Sequence, residues 1–422
     1  MMQGNGLLLT LLSGFAVGAA ITISGGAARA QEPQEHQSVF ERARPDYDPL
    51  GLHAGSFRIF PRAEVGEAYN DNIFATKNNA DGDFITLLRP QIRAESDWGR
   101  HAVALGAGAE GGRYFDHTGE NYLDGYVNAD GRIDIVHDTF IRTGLGWQHL
   151  HEDRGSPDDV AGEEPTEYEL YSANLGISRA RGIISASLDG RVDRWSWHNV
   201  NAPGGHIEQT QRDRNQYLLV GQVGYEYLPN TSAFIRVSGR LRRYDGEDDT
   251  SSPPVDRDSE GVAAVVGTQL NFTGKTSGEV FLGYQHTKYD DSSLDSYSSP
   301  SGGLDLLWNV TGLTSIRAFG TGAVEETTQN GASSYLAVRF GASIEHELLR
   351  NLLVGGAFTV GRDHYEGISR DDDLYIAGLT ARYLINRNFY AGAELTHRTR
   401  TSDGSGDEFS QNVILLRIGA QL

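Results

Sequence analysis

The densest chemistry-bearing cluster in the sequence is a stripe of three arginines, Arg236, Arg240 and Arg242, at even spacing within AFIRVSGRLRR. Residues two apart on a strand share a face and lie about 7 Å from each other. Such a stripe would pass phosphate or carboxylate groups from one guanidinium to the next. A second run puts Asp189, Arg191, Asp193, Trp195 and Trp197 at the same spacing. If these indoles face a lumen, they would stack on sugars together with Tyr126. If they face lipid, they form part of an aromatic girdle in a locally shifted register, and this reading is preferred. A third run, YLDGYVNADGRIDI, sets Tyr122, Asp124, Tyr126, Asn128, Asp130, Arg132 and Asp134 on one face, with Leu123, Val127, Ala129, Ile133 and Ile135 on the other.

Other chemistries lack their residues. The chain has 0 Cys, which excludes disulfide frameworks, thiolate metal sites and cysteine nucleophiles. Its 13 His residues are scattered, with no H-E-x-x-H and no G-x-S-x-G, so no catalytic residue is assigned and no enzyme or cofactor is expected. The acidic segments 151–164 and 245–258 lack the ligand spacing of a calcium loop and read as solvated, with no metal expected. A formal charge of -21 argues against a nucleic-acid partner, which would require a basic surface to displace counterions from phosphate.

The elements that must position these residues are strands. Period-two alternation recurs in eighteen segments starting between residues 56 and 409, the twelfth near residue 302 and the sixteenth near residue 373. Segments of roughly 10–15 residues exceed the usual strand of a soluble sandwich and suit strands crossing a bilayer at a tilt of about 45°. Short connections alternate strictly with long polar ones. The pattern is that of an all-β protein, a transmembrane antiparallel up-and-down barrel of about 18 strands, with both termini at the short-turn, periplasmic side. Tyr217, Tyr225, Tyr227, Tyr284, Tyr375, Tyr383, Trp147 and Trp308 are expected in the girdle facing outer-membrane lipid and lipopolysaccharide. The apolar alternation Ile414, Leu416, Ile418, Ala420, Leu422 resembles the terminal signal read by the β-barrel assembly machinery.

Residues 6–25 form an apolar core followed by GAARA, so residues 1–30 read as a signal peptide cleaved after Ala30, with Ala28 at the other small-residue position. Residues 31–55 read as a periplasmic extension, either a tail or a short lumen insert, and residues 56–422 as the barrel. Removal of Arg29 leaves the mature chain at -22. On the inward face, fifteen arginines stand against twelve carboxylates, a lumen balance of about +3.

Residues 39–51 (VFERARPDYDPLG), 55–76 (GSFRIFPRAEVGEAYNDNIFAT), 96–108 (SDWGRHAVALGAG) and 130–135 (DGRIDI) are similar to the β-barrel porin 2 group of Gram-negative outer-membrane proteins. The resemblance implies a barrel in the outer membrane and brings no defined substrate. Eighteen strands enclose an aqueous lumen, so the expectation is a porin-like channel passing small hydrophilic solutes, weakly preferring anions. Two alternatives stand beside it: a barrel exporting exopolysaccharide with periplasmic partners, and a non-conducting structural or adhesive barrel. Oligomeric state is not legible.

Overall fold

The computed structural model describes residues 37–202, 205–247, 254–272, 274–327, 329, 331–404 and 408–422, so the expected signal peptide with Ala28 and Ala30 lies outside the described residues. Eighteen long strands form the wall. They are β1 (Phe57–Asn70), β2 (Asp83–Ser96), β3 (Ala102–Tyr114), β4 (Tyr122–Val136), β5 (Thr139–His151) and β6 (Glu167–Arg181). Next come β7 (Ile184–Trp197), β8 (Arg214–Leu228), β9 (Thr231–Tyr244), β10 (Ser259–Phe272), β11 (Thr276–Tyr289) and β12 (Tyr297–Thr311). The last six are β13 (Thr314–Glu326), β14 (Ser334–Leu349), β15 (Leu352–Glu366), β16 (Asp371–Leu384), β17 (Phe389–Ser402) and β18 (Phe409–Gln421).

Each strand pairs antiparallel with the next, and the sheet closes where β18 pairs with β1 from Arg62↔Gln421 to Asn70↔Val413. Closure matters because hydrocarbon offers no hydrogen-bond partner to an exposed sheet edge. The strands run 13 to 16 residues. At about 3.3 Å per residue and a tilt of about 45°, fourteen residues rise roughly 32 Å, close to the ~30 Å hydrocarbon core. Among the described residues, no helix is long and apolar enough to cross a membrane.

The alternation inverts a soluble protein. Leu123, Leu175, Leu282 and Ile418 on the outer face are each more than 60% exposed, whereas Glu64, Asp193, Arg242, Asp363 and Arg417 on the inner face are buried. The seven girdle residues Tyr217, Tyr225, Tyr227, Tyr284, Tyr375, Tyr383 and Trp308 all stand exposed on the outer face, and Trp147 is half-buried there. Seventeen of the eighteen strands begin within two residues of the position expected from alternation. The exception is β12, which starts at Tyr297 rather than near 302, because the polar YSSPS run, loop-like in sequence, pairs with β11 through Thr287↔Tyr297 and Tyr284↔Pro300.

Two segments outside the wall fold into the bore. Residues 37–48 lie at the short-turn end. There the Val39 amide donates to Ser315 Oγ (3.0 Å), the Phe40 amide donates to Glu345 Oε2 (2.9 Å), and Val39 and Phe40 bury against Leu353. Arg42 donates to Asn309 and Arg44 pairs with Glu347 at 3.1 Å. Residues 37–48 of the extension thus pack against the inner face of the wall, while residues 31–36 lie outside the described residues. The second inward segment is the connection after β5, described next.

Candidate functional site

The inner wall is the candidate site, and its charges are mostly paired. Arg132 meets Asp134 at 2.8 Å, Asp124 meets His151 at 2.8 Å, and Arg191 meets Asp193 at 2.7 Å. Asp189 lies 3.4 Å from Arg142, and Asp130 accepts from Asn128 at 2.7 Å. Further pairs are Arg89 with Glu110 (2.7 Å), Arg317 with Asp305 and Arg417 with Glu394 (2.6 Å). A guanidinium and a carboxylate two strand positions apart, or directly across a strand pair, are within reach of each other, so period two yields this lattice from local neighbours.

Arg236, Arg240 and Arg242 share the inward face of β9, as alternation requires, but they are not three bare cations. Arg236 donates from Nη2 to both carboxylate oxygens of Glu279 (2.9 Å each) and from Nε to Gln222. Arg242 is buried and donates to Gln216 at 2.9 Å. Any anion passing there competes with these partners.

Trp195 and Trp197 are not girdle residues. They are 2% and 9% exposed and point into the lumen. The Trp197 ring stacks on Tyr168 (centroids 4.4 Å apart) and lies 3.4 Å under the Arg212 guanidinium, while Arg214 covers Trp195 at 4.7 Å. The register did not shift, because β7 keeps its pairing with β8 unbroken from Arg214↔Trp195 to Tyr225↔Ile184. Cation–π contacts in a covered site are worth up to ~2 kcal/mol, and here they occupy the faces a sugar would need. Tyr126, by contrast, lies uncovered on β4, in one lateral row with Gln148, Leu170 and Trp195.

The acidic segment 151–164, expected to be solvated, is instead folded inward as part of the connection 152–166. Arg212 clamps Glu152 through two bonds (2.9 and 2.8 Å), and Arg154 clamps Glu120 through two (2.8 and 2.7 Å). The segment then crosses the bore. Asp153 meets Arg398 of β17 at 3.2 Å, and the Gly155 carbonyl accepts from Arg400 at 2.9 Å. Asp158 accepts from Thr327 Oγ1 (2.7 Å), and the Pro157 carbonyl accepts from Gln329, both beyond β13 on the far side of the ring. Carboxylates become buried because guanidiniums from distant strands receive them, which offsets desolvation. The result is a strap across the long-loop end. Burial raises the Asp159 carboxyl to about 6, against the pull of Arg154.

The inward set is also larger than alternation of obvious apolar residues suggested. Arg214 and Arg400 join it, as do Asp83, Glu110, Glu325, Glu347, Asp363 and Asp372, which moves the wall balance from about +3 to about -1. Glu110 sits in LGAGAEGGR, where Gly and Ala occupy both faces; counting parity from Leu105 would have found it.

The family model described as Putative beta-barrel porin 2 matches residues 44–422, and the chain belongs to that family. It is an outer-membrane β-barrel of the porin type. The chain is similar to the crystal structure of OpdO from Pseudomonas aeruginosa, with TM-score 0.47, 13% identity, and coverage of 87% of this chain and 98% of that one. It is also similar to the outer membrane protein OpdK from Pseudomonas aeruginosa (TM-score 0.46, 9% identity, 86% and 99% coverage). A third similarity is to the ferric citrate transporter FecA (TM-score 0.45, 13% identity, 87% coverage), of whose length the chain spans 61%. No curated protein sequence matches the chain.

Proposed function

We propose that the chain is a passive outer-membrane channel for small hydrophilic solutes, narrowed by the 152–166 strap at one end and by the 37–48 insert at the other. The observation that supports this is the division of surfaces over eighteen strands, apolar outside and polar inside, at a barrel size that leaves room for water and solute. Ion selectivity in this reading is weak. The paired wall and a balance near -1 leave the arginine stripe of β9 as the main feature favouring anions.

Purified, folded barrel in planar bilayers should give discrete, ohmic conductance steps. A barrel that inserts and never conducts would favour the non-conducting structural reading, which the two inward segments support. The orientation belongs to the same proposal: long loops outside, short turns and both termini in the periplasm. Asp295→Cys should then label on intact cells and Lys275→Cys should not; the reverse would invert the topology.

A further inference from the structure

We propose, resting on the channel reading above, that the lumen face of β4, β5 and β6 carries a subsite for neutral polyhydroxylated solutes, sugars in particular. Most of the wall is an ion-pair lattice, but this patch is built differently. Three lateral rows cross it: Gly108, Tyr126 and Gln148; Gly106, Asn128, Gly146 and Ser172; Asp130, Gly144 and Asn174.

The glycines are what make the recess. A Cβ at Gly108 would stand 2.6 Å from the Tyr126 ring, and one at Gly146 would stand 2.6 Å from Ser172 Oγ. A Cβ at Gly106 would collide with the Asn128 amide, and one at Gly144 with the Asn174 amide. The polar side chains therefore lie down along the wall, each over a neighbouring glycine, and a cavity of about 390 Å³ opens above them. That volume is at the lower end of small-ligand sites, which span about 300–1,000 Å³.

Its chemistry is that of sugar recognition. Tyr126 offers an aromatic face, and among the described residues no ring or guanidinium stacks on it and its hydroxyl has no protein partner. The side-chain amides of Gln148 and Asn174 likewise make no hydrogen bond within the described protein, so each has two donors and an acceptor free. Asp130 has no cationic partner among the described residues and keeps one oxygen beyond its bond from Asn128. Sugar hydroxyls, each both donor and acceptor, satisfy such a set, and the apolar face of the ring packs on tyrosine. An anionic solute would meet the Asp130 charge, while the guanidiniums that border the patch, Arg191 across from Asn174, Arg132 along β4 and Arg93 across from Gly106, are already held by Asp193, Asp134 and Glu95. The two classes of solute would thus use different stretches of the lumen wall, anions the β9 stripe and neutral sugars the β4–β6 recess.

The test pairs a transport readout with a binding readout. Maltose and maltotriose should interrupt single-channel current in a concentration-dependent way and give saturation-transfer NMR signals with the detergent-folded barrel. Tyr126→Ala and Asn174→Leu should each weaken both effects about tenfold or more, while Tyr126→Phe retains most of the binding. Ser238→Ala on β9 should change nothing, and gluconate should interrupt the current less than maltose. Heat-modifiable gel migration checks that every variant is folded. A conducting channel with neither interruption nor transfer signal overturns the subsite, as does a signal unchanged in Tyr126→Ala and Asn174→Leu, or stronger block by gluconate. A barrel that never conducts but binds maltose through Tyr126 sinks the channel reading and leaves the subsite standing.

Discussion

Asp153 and Arg398 meet at 3.2 Å although 245 residues of chain separate them. The contact ties the connection after β5 to the wall at β17, six strands round the ring, and beside it the Gly155 carbonyl accepts from Arg398 and Arg400. A closed barrel is stiff because every strand is paired on both sides, whereas the strap is held by a few charge-assisted bonds. Its position can therefore change without cost to the wall.

The first prediction follows from this. Asp153 is 44% exposed, so the ion pair alone contributes about 1 kcal/mol at most, and the hydrogen bonds to Gly155 add about 1 kcal/mol each. Replacing Arg398 and Arg400 together by Gln should shift the strap's seated-to-unseated ratio at least tenfold. Single-channel conductance should rise while the heat-modification temperature of the barrel stays within a few degrees. Unchanged conductance would mean that the strap does not set the bore.

The second concerns pH. The Asp159 carboxyl, raised to about 6 by burial and facing Arg154, Glu152 and Asp153, binds its proton more tightly in the seated strap than in free solution. Its contribution is full below the ordinary carboxylate value near 4 and is lost as pH rises through about 6. Seating should weaken by about 2–3 kcal/mol across that window. Asp153, lowered chiefly by Arg398 against its own desolvation, acts the other way and only below about pH 4. Mean conductance should rise between pH 4 and pH 7, and Asp159→Asn should flatten the profile. A rise that survives in Asp159→Asn would place the titrating group elsewhere.

The wall is readable because its cause is local: period two puts apolar side chains into lipid, and that alternation places the start of β4 or β9 to within a residue. What was not readable depends on partners far along the chain. Glu152 and Asp153 look solvated in HEDRGSPDD because nothing nearby in sequence announces Arg212 or Arg398. Trp195 and Trp197 look like membrane anchors until Tyr168 and Arg212 are seen to cover them. The seat of residues 37–48 is hidden for the same reason, since Phe40 packs on Leu353, a residue far along the chain. The recess at Tyr126 depends on which glycines end up opposite which side chains, a matter of register between β3, β4, β5 and β6 that alternation within a single strand does not determine.

The third prediction concerns closure. Deleting residues 413–422 removes the β18 half of the seam, including Asn70↔Val413 through Arg62↔Gln421, and exposes backbone groups of β1 and β17 to hydrocarbon at several kcal/mol each. The truncated chain should show no heat-modifiable band and should aggregate or be degraded. Normal insertion would mean that the sheet closes along another edge.

The last prediction concerns selectivity, where wall, strap and outer loops act together. Charges on loops more than about 8 Å from the solute path are screened at physiological salt, while charges in a narrow, low-dielectric bore are not, so the wall dominates. With the wall balance near -1 and most charges paired, the reversal potential in a salt gradient should be small. The arginine stripe can be isolated by substitution. Replacing Arg236, Arg240 and Arg242 by Gln removes three positive charges from one face and leaves Glu279 without its guanidinium, so the potential should move toward cation preference. Glu279→Gln is the opposite change: it frees Arg236 and should move the potential toward anions. Movement of both variants in the same direction, with folded barrel unchanged, would show that β9 does not face the conducting path.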